Sequence, residues 1–292
     1  MEAEIQCAAD FAGDLRIQRR KMGIRMRNAG KWSVVGIMVD AVDYEAATDF
    51  IFCAAREKRG IAVSALAVHG VMTGVLDAEQ RFRLNHFDLL VPDGQPVRWV
   101  LNRLHDAKLS DRVYGPNLTL KVCARAAEQG ESIYLYGGTS EILSALSHSL
   151  QERFSGIEIA GAEPSRFRRL RPEEKSELTN RILKSKASIL LCGLGCPRQE
   201  SFAFEFRDAL SMPILAVGAA FPFLAGLIPQ APVWMQDRGL EWLFRLISEP
   251  RRLWRRYLYL NPAYLFLVAL QATGLWEFPT KGTLPLREQL FG

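Results

Sequence analysis

The familiar nucleotide-binding signatures are missing from this chain. No G-x-x-x-x-G-K-[ST] segment occurs, which argues against phosphate transfer by a P-loop. No G-x-G-x-x-G follows the first predicted strand, which disfavours a dinucleotide fingerprint. There is no Asp-x-Asp, the carboxylate pair that often grips a metal–diphosphate in sugar-nucleotide enzymes. Cysteine is scarce: Cys7, Cys53, Cys123, Cys192 and Cys196 form an odd, scattered set. That set suits a reducing compartment better than a disulfide framework. Cys192 and Cys196 flank Gly-Leu-Gly, but two thiols alone make no zinc site. The four histidines, His69, His86, His105 and His148, show no ligand-type spacing. No metal or cofactor is expected. Long apolar runs are absent too. Residues 258–276 are the most apolar stretch, but Asn261, Pro262, Gln271 and Gly274 interrupt it. It is marginal against the ~20 apolar residues of a spanning helix. It is expected to lie on a membrane or to pack as an ordinary helix. The first thirty residues hold no apolar h-region, so a cytoplasmic protein is expected. There is no internal repeat and no low-complexity tract.

What is present is the composition of a globular protein. Of 292 residues 49% are hydrophobic and 24% charged. The formal net charge of +5 is unevenly spread. Arg16, Arg19, Arg20, Lys21, Arg25, Arg27 and Lys31 crowd the amino-terminal region, and Arg238, Arg245, Arg251, Arg252, Arg255 and Arg256 a later segment. Such clusters serve phosphate groups, nucleic acid or anionic lipid, or simply form a solvated face.

Residues 1–31 read as a poorly ordered basic arm. From Trp32 short apolar runs alternate with amphipathic stretches. Strands are predicted at 33–39, 61–68, 87–91, 132–136, 157–160, 188–192 and 214–217. Helices are predicted at 44–59, 77–85, 96–104, 118–128, 140–154, 172–184 and 197–210. This alternation predicts an α/β fold, a mostly parallel sheet with helices on both faces. After Phe221 the pattern is helical only, and Pro229 and Pro232 bracket a boundary. The expected division is 1–31, an α/β domain at 32–228, and a helical appendage with tail at 229–292.

The run Phe87-Asp88-Leu89-Leu90 leads into Val91-Pro92-Asp93-Gly94-Gln95-Pro96. It reads as a buried strand that ends at a proline and hands one carboxylate to a turn. Asp93 then sits at the carboxyl end of a strand, where open α/β sheets place ligands and chemistry. Taken alone, Asp93-Gly94 also reads as plain turn chemistry. Three strands end in glycine turns that open helices: Gly137-Gly138-Thr139, Gly193-Leu194-Gly195 and Gly218-Ala219-Ala220. Such a turn lets backbone N–H groups approach a phosphate, although any α/β protein needs tight βα turns. Arg198 and Gln199 follow at a helix start, able to face a phosphate and a sugar or to serve as ordinary first-turn polarity. Downstream, Arg238 and Arg245 are seven apart and share a helix face, and Pro250 breaks that helix before a second basic one. Tryptophans among arginines suit a membrane interface, single-stranded nucleic acid, or a packing helix with a basic outer face.

Six segments, in order and suitably spaced, resemble the bacterial WecG/TagA/CpsF glycosyltransferases. They are VPDGQPVRW (91–99), RVYGPNLT (112–119), YLYGGTSE (134–141), GLGCPRQE (193–200), VGAAFPFLAG (217–226) and APVWMQDRGLEWLFRLISEPRRLWRRY (231–257). The resemblance runs from about residue 33 to residue 257. It implies a Rossmann-like domain whose carboxyl-terminal helical appendage completes the active site and touches the membrane. It also implies inverting, metal-independent transfer from a UDP-sugar to a polyprenyl-diphosphate-linked saccharide on the inner face of the cytoplasmic membrane. Cell-surface polysaccharide synthesis is the setting it implies. The family's proposed base falls on Asp93, and Arg112 and Gln199 complete the implied catalytic set. Substrate contacts are expected at His69, Gly94, Asn117, Gly137, Gly138, Thr139, Gly193, Gly195, Arg198, Gly218, Arg238, Arg245 and Arg252. This chain departs from the pattern in places. An Asn common in the family falls on Ala67, with His69 as a candidate substitute; Asn117 stands where Asp is frequent; and residues 262–292 run past the usual end. The runner-up is a non-catalytic nucleotide-sugar or membrane-binding module on the same fold. No nucleic-acid partner is expected, since that role leaves Asp93 and the glycine turns without purpose. Donor sugar, acceptor, linkage and any homo-oligomer stay open.

Overall fold

The computed structural model of the protein describes residues 27–292, apart from the side chain of Arg256. The basic arm expected at 1–31 lies outside the described residues as far as position 26, and Cys7 with it. A hairpin comes first: β1 (Asn28–Val34) pairs antiparallel with β2 (Ile37–Val42). After it come α1 (Tyr44–Arg56), β3 (Ile61–Leu66), α2 (Val68–Leu76), α3 (Ala78–Asn85), β4 (Leu89–Pro92), α4 (Gln95–His105) and α5 (Gly115–Gln129). Next are β5 (Ser132–Tyr136), α6 (Ser140–Arg153), β6 (Glu158–Glu163), α7 (Pro172–Lys184), β7 (Ile189–Cys192), α8 (Arg198–Leu210) and β8 (Pro213–Ala216). Helices alone follow: α9 (Ala220–Leu224), α10 (Val233–Asp237), α11 (Glu241–Ser248) and α12 (Pro250–Ala272).

Six strands form one wholly parallel sheet in the order β4-β3-β8-β7-β5-β6. Helices cover both faces, so successive residues of a strand enter opposite cores. Ile189 and Leu191 of β7 join Ile51 and Phe52 of α1, Leu118 and Val122 of α5, and Leu143 and Leu146 of α6. Leu190 and Cys192 join Val71 of α2, Leu101 of α4, Ile182 of α7 and Phe202 and Phe206 of α8. The α/β architecture read from the sequence is the one observed.

Two predicted strands divide differently. The run at 33–39 is not one strand but a hairpin whose turn has Val35 at φ 45° and Gly36 at φ 89°. Two consecutive positive φ values match the twist of a two-residue hairpin. A β-branched residue in that region is disfavoured, which hid the turn in the sequence. Gln271 of α12 secures it, accepting from Val35 N–H (2.8 Å) and donating to Ser33 O (2.8 Å). The strand predicted at 61–68 stops at Leu66, Ala67 caps α2, and His69 stands on a helix. A short apolar run does not distinguish a buried strand from a buried helix.

α12 turns back onto the α/β body. Tyr264 is buried beneath it, and Leu260, Ala263, Leu267 and Val268 pack on the core. No helix among the described residues is long and apolar enough to cross a membrane. Beyond α12 the chain runs along α3, α8 and α7 as a strap. Thr283 N–H donates to Ala78 O (2.9 Å), Gln289 and Leu290 N–H groups donate to the Glu205 carboxylate (2.6 and 2.9 Å), and Leu170 N–H donates to Leu290 O (2.6 Å).

Candidate active site

Sheet order puts the carboxyl ends of β3, β4, β8, β7 and β5 along one edge. The chain leaves β4 at one side of the sheet and re-enters at β5, skipping the place that β8 and β7 later fill. A crevice belongs at such a reversal. A cavity of about 640 Å³ opens there, lined from all five loops and roofed by α11 and the start of α12. That volume suits a ligand of nucleotide-sugar size.

Asp93 follows β4 directly and lines the cavity. Its N–H donates to Leu66 O of the neighbouring strand (3.2 Å), so the pairing of β3 with β4 fixes its position. Its Oδ1 accepts from Gly115 N–H at the start of α5 (2.6 Å). Enclosure pushes the carboxyl up to about 6; the Arg112 guanidinium opposes this and the Glu241 carboxylate adds to it. A carboxylate with a proton affinity near neutrality is suited to take a proton from a hydroxyl.

Across the cavity, Gln199 Oε1 accepts from Gly195 N–H (3.1 Å) and Nε2 donates to Glu200 Oε1 (2.9 Å). Ser64 Oγ of β3 donates to the same Glu200 oxygen (3.0 Å). Glu200 is fully buried, and burial raises its carboxyl well above the usual range. Gln199 also packs against Gly218. A Cβ on Gly218 would lie 2.5 Å from Gln199 Oε1, and φ there is 43°, so the position needs glycine.

The glycine turns serve the fold more than a phosphate cradle. Gly137 N–H donates to Glu163 O, Gly193 N–H to Tyr136 O and Gly218 N–H to Cys192 O, while Gly195 N–H is taken by Gln199. These four amides therefore have partners within the protein, whereas the sequence reading offered the turns' N–H groups to a phosphate. Three of them bond carbonyls of neighbouring strands, and the fourth bonds a side chain of α8. Gly138, Gly193, Gly195 and Gly218 do line the cavity.

Positive charge on the wall comes from side chains. Arg198, Arg245 and Arg252 line the cavity. Arg245 stands 5.5 Å over the Phe223 ring, and its buried Nε has no hydrogen-bond partner. Arg252 pairs with Glu249 (2.9 Å), and Arg198 lies 5.9 Å from the Phe291 ring. His69 lines the cavity too, from the first turn of α2.

The other expected site residues stand back from it. Arg112 is buried, with Nη1 on Asp93 O (3.2 Å) and Nη2 on Glu241 Oε2 (2.8 Å) and Gln236 Oε1 (3.1 Å). Gly94 caps α4, Thr139 caps α6 through Ile142 N–H, and Gly137 packs on Gly193. Asn117 is exposed on α5 beside Tyr44. Arg238 leans on Trp234, donating to its carbonyl (3.4 Å).

The lining residues not anticipated include Tyr114, Glu200 and Glu241. Glu200 was visible within the GLGCPRQE segment, next to Gln199. Glu241 and Tyr114 also lay in matched segments, but neither carried a sequence signal for this cavity. Only the fold brings Glu241 back over β4. Among the described residues no cluster of three or more His, Cys, Asp or Glu could hold a metal ion.

Residues 32–277 match the family model described as Glycosyl transferase WecG/TagA/CpsF family. The match runs twenty residues beyond the resemblance read from the motifs, through α12, and leaves 278–292 outside.

Proposed function

The chain belongs to the WecG/TagA/CpsF glycosyltransferase family, and on that premise we propose that it transfers a sugar from a UDP-sugar to a polyprenyl-diphosphate-linked saccharide with inversion and without a metal. One observation carries this reading: the Asp93 carboxylate and three guanidinium groups, Arg198, Arg245 and Arg252, line one cavity. The carboxylate takes the proton of an acceptor hydroxyl. The freed oxygen attacks the anomeric carbon, and the bond from that carbon to the diphosphate breaks. Its electron pair leaves with UDP. One displacement inverts the centre. The charge that gathers on the leaving diphosphate meets guanidinium forks, which bind phosphate oxygens in bidentate fashion and stay protonated.

Membrane attachment belongs to the same proposal. α12 exposes Trp254, Leu258, Tyr259, Leu265 and Phe266 and carries Arg251, Arg252 and Arg255 towards its amino end. Aromatic and aliphatic groups beside arginines suit the headgroup region of an anionic leaflet. A lipid-linked acceptor would then reach the cavity beneath the appendage from the cytoplasmic face.

The test is a panel of UDP-sugars offered with polyprenyl-diphosphate saccharides, read as UDP release and as product anomer. Release of UDP dependent on the lipid acceptor, with an inverted linkage, is expected. Nucleotide-sugar binding with no release across the panel would favour a non-catalytic module. Ala67 is the observation on that side, because it caps α2 with no polar side chain where relatives often carry Asn. His69, two residues on, supplies a polar group on the same wall.

A further inference from the structure

α11 carries Arg245 to the cavity wall, yet none of its residues is fully buried. Apolar packing alone therefore fixes it weakly against the sheet. A polar clamp holds it. Arg112, in the loop between α4 and α5, reaches Glu241 at the start of α11 with Nη2 at 2.8 Å, and the side chains are only 7% and 14% exposed. The same nitrogen bonds Gln236 of α10 (3.1 Å), and Gln236 Nε2 bonds Ala231 O (2.8 Å). Nη1 bonds the carbonyl of Asp93 itself (3.2 Å), and the guanidinium lies 4.2 Å from the centre of the Tyr114 ring. One cation thus joins the turn that carries Asp93 to two successive appendage helices. Between those helices Gly239 has φ 70°, and a Cβ there would fall 2.8 Å from Trp99 of α4. The joint is therefore closely fitted on its other side as well.

A buried guanidinium seeks a carboxylate. Within reach of Arg112 there are two, Asp93 and Glu241. The Arg112 side chain bonds the side chain of Glu241 but only the backbone of Asp93. Asp93 Oδ1 is left with one neutral donor, Gly115 N–H.

We infer that Glu241 is a positioning residue that engages Arg112, so that Arg112 docks α11 over the cavity without capturing the Asp93 carboxylate. This rests on the glycosyltransferase reading for Asp93, but the docking half stands apart from it. Two consequences follow. Arg245 is registered against Asp93 only while Glu241 is in place. The proton affinity of Asp93 is also set partly by the appendage. The charged and titratable groups that face Asp93 are Arg112 and Tyr114 beside α5, Tyr44 of α1, and Glu241 and Arg245 of α11.

The experiment uses the full chain with Glu241→Ala and Glu241→Gln. Hydrogen exchange of residues 241–248 is measured, and kcat and KM for the UDP-sugar are followed from about pH 5 to about pH 9. Glu241→Ala leaves Arg112 unpaired, so exchange in 241–248 is expected to rise about 100-fold, with higher KM and lower kcat. Glu241→Gln keeps an acceptor for Arg112 and removes the charge. It is expected to keep most protection of α11 while moving the acid limb of kcat below the wild-type position near pH 6. Wild-type exchange in 241–248 together with an unmoved acid limb would overturn the inference. So would a lowered melting temperature as the sole effect. If the wild type turns over no UDP-sugar, the functional reading fails, and exchange at 241–248 alone decides the docking role of Glu241.

Discussion

Asp93 combines two properties that conflict. As the proposed base it must be ionised, yet its enclosure favours the protonated form and puts the carboxyl at about 6. The acid limb of kcat is therefore expected near pH 6, measured with saturating donor and acceptor. Replacing Asp93 with Asn, which can still accept from Gly115 N–H, is expected to lower turnover by roughly 10²–10⁴ and to leave UDP affinity intact. Wild-type turnover in that variant would remove Asp93 as the base. Stability should move the other way. A carboxyl raised in the folded state above its ordinary 3.8 contributes stability that is complete below pH 3.8 and is lost as pH rises through about 6. Asp93→Asn is thus expected to melt higher than the wild type at pH 8, with the difference vanishing towards pH 4. A thermal denaturation series across pH decides it. Asp40 gives the same sign elsewhere. It too is raised to about 6 by burial, and it accepts from Leu90 N–H (2.7 Å), covering one edge position of β4.

Among the elements, residues 278–292 of the strap lie outside the family match, yet they are bonded along their length. Glu205 is the point to test. Its carboxylate accepts two strap N–H groups, and burial raises it. Removing residues 278–292 leaves that carboxylate without those donors and uncovers Leu170 and the α3–α8 seam. A loss of about 1–3 kcal/mol is expected in denaturant unfolding, and an unchanged midpoint would show the strap to be dispensable. The exposed side of α12 belongs to this scale as well. Leu265 and Phe266 are each 63% exposed, while their neighbour Tyr264 is buried. Aspartate at both positions is expected to weaken binding to anionic liposomes and to leave the melting temperature nearly unchanged. Equal liposome binding would place the membrane contact elsewhere.

At the scale of the whole molecule, the α/β part supplies Asp93 and Arg198 to the cavity and the appendage supplies Arg245 and Arg252. Neither half holds a complete site. Deleting residues 231–292 is expected to abolish transfer to a lipid-linked acceptor, measured as product formation, and to weaken liposome binding. Full activity after that deletion would refute the role given to the appendage. The same division explains what could be read in advance. Alternating apolar runs separated by proline and glycine set the order of strands and helices, and Asp93 was legible because a buried strand stops at Pro92. The hairpin turn at Val35 was not legible, because a distant side chain, Gln271, secures it. The glycine turns were legible as turns, but the destinations of their N–H groups were not, since neighbouring strands supply the carbonyls.

Periodicity and local turn chemistry are properties of short stretches, so the sequence by itself determined a parallel sheet with helices on both faces, the position of the acid at a strand end, and a basic helical segment to follow. Cross-chain pairing is a property of distance in space. Only the tertiary structure decided that Arg112 joins Glu241 at a separation of 129 residues, that Ser64 bonds buried Glu200 at a separation of 136, and that Arg245 rather than Arg238 faces the cavity. Each depends on which loops the strand order β4-β3-β8-β7-β5-β6 gathers at one edge, and no local pattern encodes that order.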